Sequence, residues 1–263
     1  VLNGATCNGH FADGWLPVLH GDRLIRIRTA QLVLATGAHE QPMTFRGNDL
    51  PGVMLSSAAQ RLMRHYAVRP GRQAVIYAGD RDGYLAALDL DDAGLRIAAV
   101  IDPEPDDRDG LSAELTRRGI TVMHGHRVVQ ARGGLHVKSV DIRDANGATS
   151  TLNCDLLVMA GGYTPGYQLA LHAGARLTSD DSGTHFTITD VPAHIHLAGA
   201  AAGLADLAAV IASGDVAGLR AAAALGLGDA PDLPPVPVGW RRAPPLQAHP
   251  KGRDFVDFDE DLQ

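Results

Sequence analysis

The sequence has few cysteines, few aromatic residues and no cluster of positive charge. Its two cysteines, Cys7 and Cys154, lie far apart and outside any CxxC or histidine spacing, so a disulfide scaffold is excluded and a reducing, cytoplasmic setting is favoured. Aromatic residues make up only 5% of the chain, while alanine and glycine are abundant. This balance favours an α/β fold, with helices packed closely on a sheet, over an aromatic-rich β-sandwich.

Positive charge is scattered, and the formal net charge is −7. Such a chain carries no basic surface for nucleic acid or for anionic lipid. No apolar run reaches the ~20 residues that span a bilayer, and the start shows no signal-peptide pattern. We expect a soluble cytoplasmic protein, without nucleic-acid or membrane partners, that works with small molecules and other proteins.

The residues that are present alternate between apolar runs and glycine-containing turns. Gln73–Ala78, a helix over Tyr84–Ala93 and the strand Arg96–Ile101 form a βαβ unit, which is a Rossmann-type half. The strand Thr121–His124 extends it, and residues 128–153 follow as a three-stranded antiparallel meander.

Other segments are assigned by their capping and breaking residues. Residues 42–54 hold prolines and glycines and are predicted to be a loop, and Ser56 and Ser57 are candidate N-caps for a helix that reaches about Tyr66. The alanine-rich stretch 204–225 is predicted to be a further helix. Because Val1 replaces an initiator methionine and the first residues look like the middle of a strand-and-turn region, we expect a preceding segment.

Three apolar strands run directly into glycine: LVLATG at 32–37, LLVMAGG at 156–162 and IHLAGA at 195–200. A buried strand that ends in a turn without side chains lets a ligand approach the backbone. An ordinary turn that needs glycine for positive φ explains any single junction equally well. The order of all three, with a complete βαβ unit between the first and the second, is typical of proteins in which one dinucleotide-binding domain is inserted into another.

These patterns predict an α/β, Rossmann-like fold of the FAD/NAD(P)-binding, pyridine nucleotide-disulfide oxidoreductase type, with an inserted second dinucleotide-binding-type domain and an antiparallel meander. The predicted domains are 1–50, part of the first nucleotide-binding domain; 68–164, the inserted domain; 165–228, the return to the first domain; and 229–263, a proline-rich linker toward a further domain. The predicted cofactor-binding residues are those of the three junctions, namely Ala35, Thr36, Gly37, His39, Gly161, Gly162, Gly199 and Ala200.

The inserted domain departs from the dinucleotide-binding pattern at its phosphate turn. The turn Gly79–Gly83 carries Asp80 where G-x-G-x-x-G has its middle glycine. A carboxylate there would repel a pyrophosphate, although a helix N-terminus tolerates its charge. Asp102 stands ~20 residues on, where an acid takes ribose hydroxyls, but with the turn degraded we interpret it as a strand-end residue.

Histidines and Cys154 offer weaker candidates for a site. His124 and His126 alternate at a strand end, but no acid or cysteine completes a ligand set with them, so no metal is predicted. The remaining His136, His194 and His196 lie elsewhere in the sequence. Cys154 has no base near it in sequence and is not expected to be a nucleophile.

Four stretches resemble one family: VLATGAHEQP at 33–42, NDLPGVML at 48–55, AVRPGRQAVIYAGD at 67–80 and DFVDFDEDL at 254–262. Together they are similar to the α subunit of heterotetrameric sarcosine oxidase, from about Arg28 to the end of the chain. The resemblance implies a middle portion of that subunit, with a phosphate-binding turn before it and a folate-binding domain after it. FAD-binding relatives have an acid here that binds the ribityl chain. The segment LAGA at 197–200 has no acid, and the family shares this feature.

The resemblance also implies cofactors and partners. NAD is expected on the α subunit, FAD on a β subunit, with FMN at the contact between them, while a small secondary amine such as sarcosine is oxidised on the partner. No catalytic residue is therefore predicted in this chain. Opine oxidase and cyanide synthase subunits are alternatives of the same architecture. A non-catalytic scaffold, supported by Asp80, is an alternative of another class.

Overall fold

The computed structural model describes residues 1–107, 110–179 and 186–229. The strands there are β1 Ala5–Cys7, β2 Trp15–His20, β3 Arg23–Arg28, β4 Leu32–Leu34, β5 Ala38–Glu40, β6 Val53–Leu55, β7 Gln73–Ala78, β8 Arg96–Asp102, β9 Thr121–His124, β10 Arg127–Gly133, β11 Val137–Arg143, β12 Thr149–Asn153, β13 Leu156–Ala160, β14 Tyr163–Pro165, β15 Arg176–Ser179, β16 Phe186–Thr189 and β17 Ile195–Leu197. The helices are α1 Ser56–Tyr66, α2 Arg81–Asp92, α3 Leu111–Arg117, α4 Gln168–His172 and α5 Leu207–Ala224, with 3₁₀ turns at Ala12–Gly14 and Gly199–Ala202.

The chain forms two compact units. Unit 1 comprises Val1–His39 and the described residues from Tyr163 onward, and unit 2 comprises Glu40–Gly162. The chain therefore leaves unit 1, builds unit 2 and returns. The residue ranges of the predicted domains stay predictions, and the predicted linker lies outside the described residues from position 230 onward.

Unit 2 is built on a parallel sheet of five strands in the order β6-β13-β7-β8-β9. The interior strand β13 is buried at every residue, as expected for a parallel strand that is covered on both faces. On one face, Ile76 and Val158 pack against α2, and on the other Val75 and Leu157 pack against the meander. The sheet is thus the middle of three layers.

The meander β10-β11-β12 is antiparallel throughout, as predicted. Leu135, in the turn between β10 and β11, is 90% exposed, and β11 begins at Val137. The loop predicted over 42–54 was wrong at its end. Val53 pairs in parallel with Leu157 and makes β6 an edge strand of the sheet, a segment too short for its periodicity to be read.

Unit 1 contains the antiparallel sheet β1-β2-β3, the hairpin β15-β16 and the parallel pair β4-β17. In that pair Leu32 lies opposite Ile195 and Leu34 opposite Leu197. The first and third glycine-ended strands are therefore neighbours in unit 1. A small core of Leu34, Ala170, Ala175 and Ile195 supports them.

Helix α5 is the most apolar helix of unit 1. Its 18 residues have a mean hydropathy of 1.4 and only 22% of them are buried, so by length and composition alone it is able to cross a membrane. Core helices of soluble proteins meet the same criterion, and α5 also carries Asp215 and Arg220. It is thus an exception to the expectation that no segment is long and apolar enough.

Candidate functional site

The first candidate site lies in unit 1, where β4 and β17 end side by side. The two strands are parallel, and the amide of Ala198 donates to the carbonyl of Leu34 at 2.9 Å. Their carboxyl ends therefore share one edge. Ligands of open α/β sheets bind outside the carboxyl ends of the strands. The structure thus brings together five of the predicted residues, namely Ala35, Thr36, Gly37, Gly199 and Ala200.

The turn after β4 is open to a ligand. Gly37 has φ +79°, and a side chain added there would meet no atom within 4 Å. Ala35 and Thr36 are exposed. Two hydrogen bonds to Gly166 hold the turn in place. The Thr36 hydroxyl donates to the carbonyl of Gly166 at 2.6 Å, and the Gly166 amide donates to the carbonyl of Gly37 at 2.8 Å.

The turn after β17 is partly occupied by the chain itself. The Gly199 amide donates to the buried hydroxyl of Ser213 on α5 at 2.8 Å, and that hydroxyl donates to the carbonyl of Val210 at 2.7 Å. Gly199 therefore has no free amide to offer a phosphate. Its glycine is explained by φ +64°, a conformation that favours glycine.

The second glycine junction lies in unit 2 and is covered. A Cβ on Gly161 would come within 2.6 Å of the Gln41 carbonyl oxygen and 2.9 Å of Met43 Cγ. The Gln41 amide donates to the carbonyl of Gly162 at 2.8 Å. Close packing by this segment accounts for Gly161 and the positive φ of +91° accounts for Gly162, and their cofactor contact stays a prediction. His39 is exposed on β5, where the chain leaves unit 1.

Unit 2 has its own dinucleotide-type turn between β7 and α2. Gly83 is required there, because an added Cβ would lie 2.5 Å from the Ala78 Cβ and prevent the close contact of helix and strand. Asp80 is the N-cap of α2, and its Oδ1 accepts from the amides of Asp82 at 3.0 Å and Gly83 at 3.3 Å. These are the donors that a bound phosphate would use.

The surroundings of Asp80 disfavour its charge. Burial, with the neighbouring Asp82 carboxylate adding to its effect, raises the pKa of Asp80 to about 7, against the two amides that stabilise the charged form. Burial also raises the pKa of Asp82, with Glu40 adding to the effect. A further negative group would meet repulsion here.

Asp102, at the end of β8, is buried and engaged. The Tyr84 hydroxyl donates to its Oδ2, and the Glu104 amide donates to its Oδ1 at 2.8 Å. Burial raises the pKa of Tyr84, and this hydrogen bond raises it further. His124 Nδ1 lies 3.7 Å from the same Oδ2, while its Nε2 is 3.0 Å from the Ser112 hydroxyl.

Sequence reasoning missed the role of Glu40. We predicted Ser56 and Ser57 as N-caps of α1, but they are its first two helical residues and Leu55 precedes them. The Glu40 carboxylate caps the helix instead: Oε1 accepts from the Ser56 amide at 3.1 Å and its hydroxyl at 2.6 Å, and Oε2 accepts from the Ser57 amide at 3.0 Å. This cap comes from 16 residues upstream, beyond the reach of local capping patterns.

The remaining candidates show no shared site. His126 Nδ1 is 2.7 Å from the backbone carbonyl of His124. Among the residues placed by the structure, no group of three or more potential metal ligands exists. Burial, with Asp155 nearby, raises the pKa of Cys154 to about 12, which removes the thiolate needed for nucleophilic attack.

Comparison with curated proteins gives relatives along almost the whole chain. No protein-family model matches. The chain is 34% identical over 257 residues to the α subunit of sarcosine oxidase from Rhizobium meliloti strain 1021, covering 94% of this chain and 25% of that protein. It is 32% identical over 226 residues to an opine oxidase subunit of Agrobacterium tumefaciens strain Ach5, covering 76% and 45%. It is 29% identical over 229 residues to hydrogen cyanide synthase subunit HcnB of Pseudomonas aeruginosa, covering 75% and 49%.

Solved structures show the same fold. L-proline dehydrogenase from P. horikoshii superposes with a TM-score of 0.64 at 22% identity, covering 86% of this chain and 42% of that one. Thioredoxin reductase from T. acidophilum superposes with a TM-score of 0.62 at 17% identity, covering 85% and 73%. The predicted fold class is confirmed. The resemblance read from the sequence is confirmed too, although the chain spans about a quarter of the length of the sarcosine oxidase subunits it matches.

Proposed function

We propose that this chain, which is similar along nearly its whole length to the α subunit of sarcosine oxidase, is the nucleotide-binding portion of a sarcosine oxidase-like α subunit. In this role it supports the oxidative demethylation of sarcosine or a related secondary amine, which is carried out with partner subunits. The observation that carries the proposal is the extent of the similarity. Three such subunits match at 31–34% identity over 90–94% of the chain.

The alignments with the related oxidases cover a smaller share of this chain. The opine oxidase and cyanide synthase alignments cover 76% and 75% of the chain. An opine oxidase or cyanide synthase-type subunit is the alternative within the same architecture. A non-catalytic scaffold is the alternative of another class, and Asp80 favours it, because its carboxylate already occupies the helix N-terminus in unit 2.

The proposed ligand is a dinucleotide at the edge of unit 1, and we infer that it is NAD. Gly37 leaves the backbone accessible, and the exposed Ala35 and Thr36 lie beside it. The segment after β17 reads Ala198–Ala202 without an acid, so the group that FAD-binding relatives place on the ribityl chain is missing. The sequence also contains no G-x-G-x-x-G turn.

The residues of this chain would hold and orient the nucleotide. The Thr36–Gly166 contacts fix the turn in advance, which lowers the entropy lost on binding. Bound NAD would supply a hydride acceptor, while FAD and FMN are proposed to reside with a β subunit, which also holds the amine. The proposed setting is a cytoplasmic hetero-oligomer.

The test is to purify the complex that forms around a tagged full-length subunit containing this segment. We expect NAD in its acid extract and dye reduction with sarcosine. Faster reduction with an opine or with glycine would favour the related oxidases. A complex with no nucleotide and no amine-dependent reduction would leave only the scaffold.

A further inference from the structure

The turn between β7 and α2 keeps the architecture of a phosphate-binding site, but groups of the chain itself fill the site. The Gly79 amide donates to the Ala160 carbonyl at 2.8 Å and fixes the turn against β13. Gly83 still permits the close contact of helix and strand. The amides of Asp82 and Gly83, which a pyrophosphate would use, both bind the Asp80 carboxylate.

The ribose position is filled in a similar way. In dinucleotide-binding folds, an acid at the end of the second strand accepts hydrogen bonds from ribose hydroxyls. Asp102 holds that place at the end of β8 and is 7% exposed. One of its oxygens accepts from the hydroxyl of Tyr84 and the other from the Glu104 amide. Tyr84 is 5% exposed, so its hydroxyl is a built part of the interior.

A third side chain, Glu40, caps the N-terminus of the neighbouring helix α1. α1 begins after β6, and α2 begins after β7, so both helix N-termini lie at the carboxyl-end edge of one sheet. Glu40 occupies the first and Asp80 the second. Carboxylates thus satisfy the backbone donors that would attract an anion at either terminus.

We infer that unit 2 is a dinucleotide-binding domain whose phosphate and ribose positions are filled by its own side chains, Asp80 acting in place of a phosphate and the Tyr84 hydroxyl in place of a ribose hydroxyl. The two groups lie at the N-cap and in the first turn of α2 and fill two different positions. A single substitution therefore opens only half of the site. This goes beyond the proposed function, which concerns the edge of unit 1.

The test uses this chain, labelled with ¹⁵N, and NAD as the probe. In the parent, NAD at millimolar concentration should leave the amide signals of Asp82, Gly83 and Tyr84 unchanged. In the double variant Asp80→Gly/Tyr84→Phe the amide signals of Asp82, of Gly83 and of the residue at position 84 should shift and saturate. Its affinity should be at least tenfold higher than that of Asp80→Gly alone.

The matched control is Asp80→Gly/Tyr77→Phe. Tyr77 is also a buried tyrosine, 5% exposed, but it lies in the core cluster that faces the meander rather than the helices. This control should bind no more tightly than Asp80→Gly alone. Equal affinities of the two double variants would overturn the assignment of Tyr84.

NAD addition to the parent chain tests the inference even if a variant does not fold. Saturable shifts at Asp82–Tyr84 in the parent on adding NAD would show an open site and overturn the inference. Failure of the proposed function gives a different result. The full-length complex would then contain no nucleotide, and the amide signals of unit 2 would also stay unchanged on adding NAD.

Discussion

The charge of Asp80 should control how the stability of the chain depends on pH. Burial and Asp82 raise the pKa of Asp80 from 3.8 to about 7 in the folded chain. The folded state therefore holds a proton that the unfolded state has released, throughout the range between these values. Stability from this group is greatest below the unfolded pKa, falls as the pH rises through this window, and is constant above it.

The size of the effect follows from the two pKa values. Each pKa unit is worth about 1.4 kcal/mol, so ionised Asp80 costs at most about 4 kcal/mol at pH 8 relative to pH 4. The variant Asp80→Asn keeps an oxygen that accepts from the amides of Asp82 and Gly83, and it does not titrate. We expect it to match the parent within about 1 kcal/mol at pH 4 and to exceed it by up to about 4 kcal/mol at pH 8.

Urea denaturation at both pH values measures this difference. The control is Asp206→Asn, the N-cap of α5, which is exposed and accepts from the Ala209 amide at 3.0 Å. Its difference from the parent should stay within about 1 kcal/mol at both pH values. If the parent and Asp80→Asn lose stability in parallel between pH 4 and 8, the environment assigned to Asp80 is wrong.

Three further predictions concern single residues. Glu40→Ala removes the cap of α1 and should lower the unfolding free energy by about 1–2 kcal/mol, measured by urea denaturation, with Glu40→Gln losing less. Cys154, whose thiol pKa is raised to about 12, should resist iodoacetamide at pH 8 in the native chain while the partly exposed Cys7 is alkylated, as read by mass spectrometry. Gly161→Ala should cost about 1–3 kcal/mol through its overlap with a backbone carbonyl, whereas Gly214→Ala, with open space around it in α5, should be neutral or stabilising in the same melts.

The strands bounded by glycine were predictable because burial on both faces demands continuous apolar runs. β7 and β13 begin and end where the pattern placed them. The edge strand β6 has three residues behind Pro51 and Gly52, too few for a period to show. The short length of β6, rather than the chemistry of its residues, kept it from being predicted.

The candidate site was predictable only where it depends on neighbours in sequence. The obstruction by Asp80 follows from its place in a glycine turn, and the structure shows it as a cap. The cap by Glu40 and the bond from Tyr84 to Asp102 join different elements, and no local pattern encodes them. The acidic segment at 254–262, which helped to carry the resemblance, lies outside the described part of the chain.

The most direct test of the account is the nucleotide content of the full-length subunit with Gly37→Val, compared with Gly147→Val. Both glycines have positive φ and open space around an added Cβ, but Gly147 lies in the β11–β12 turn of unit 2. We predict that Gly37→Val loses bound NAD at least tenfold while Gly147→Val keeps the parent's content. Equal NAD in the two variants would contradict the placement of the nucleotide at the edge of unit 1.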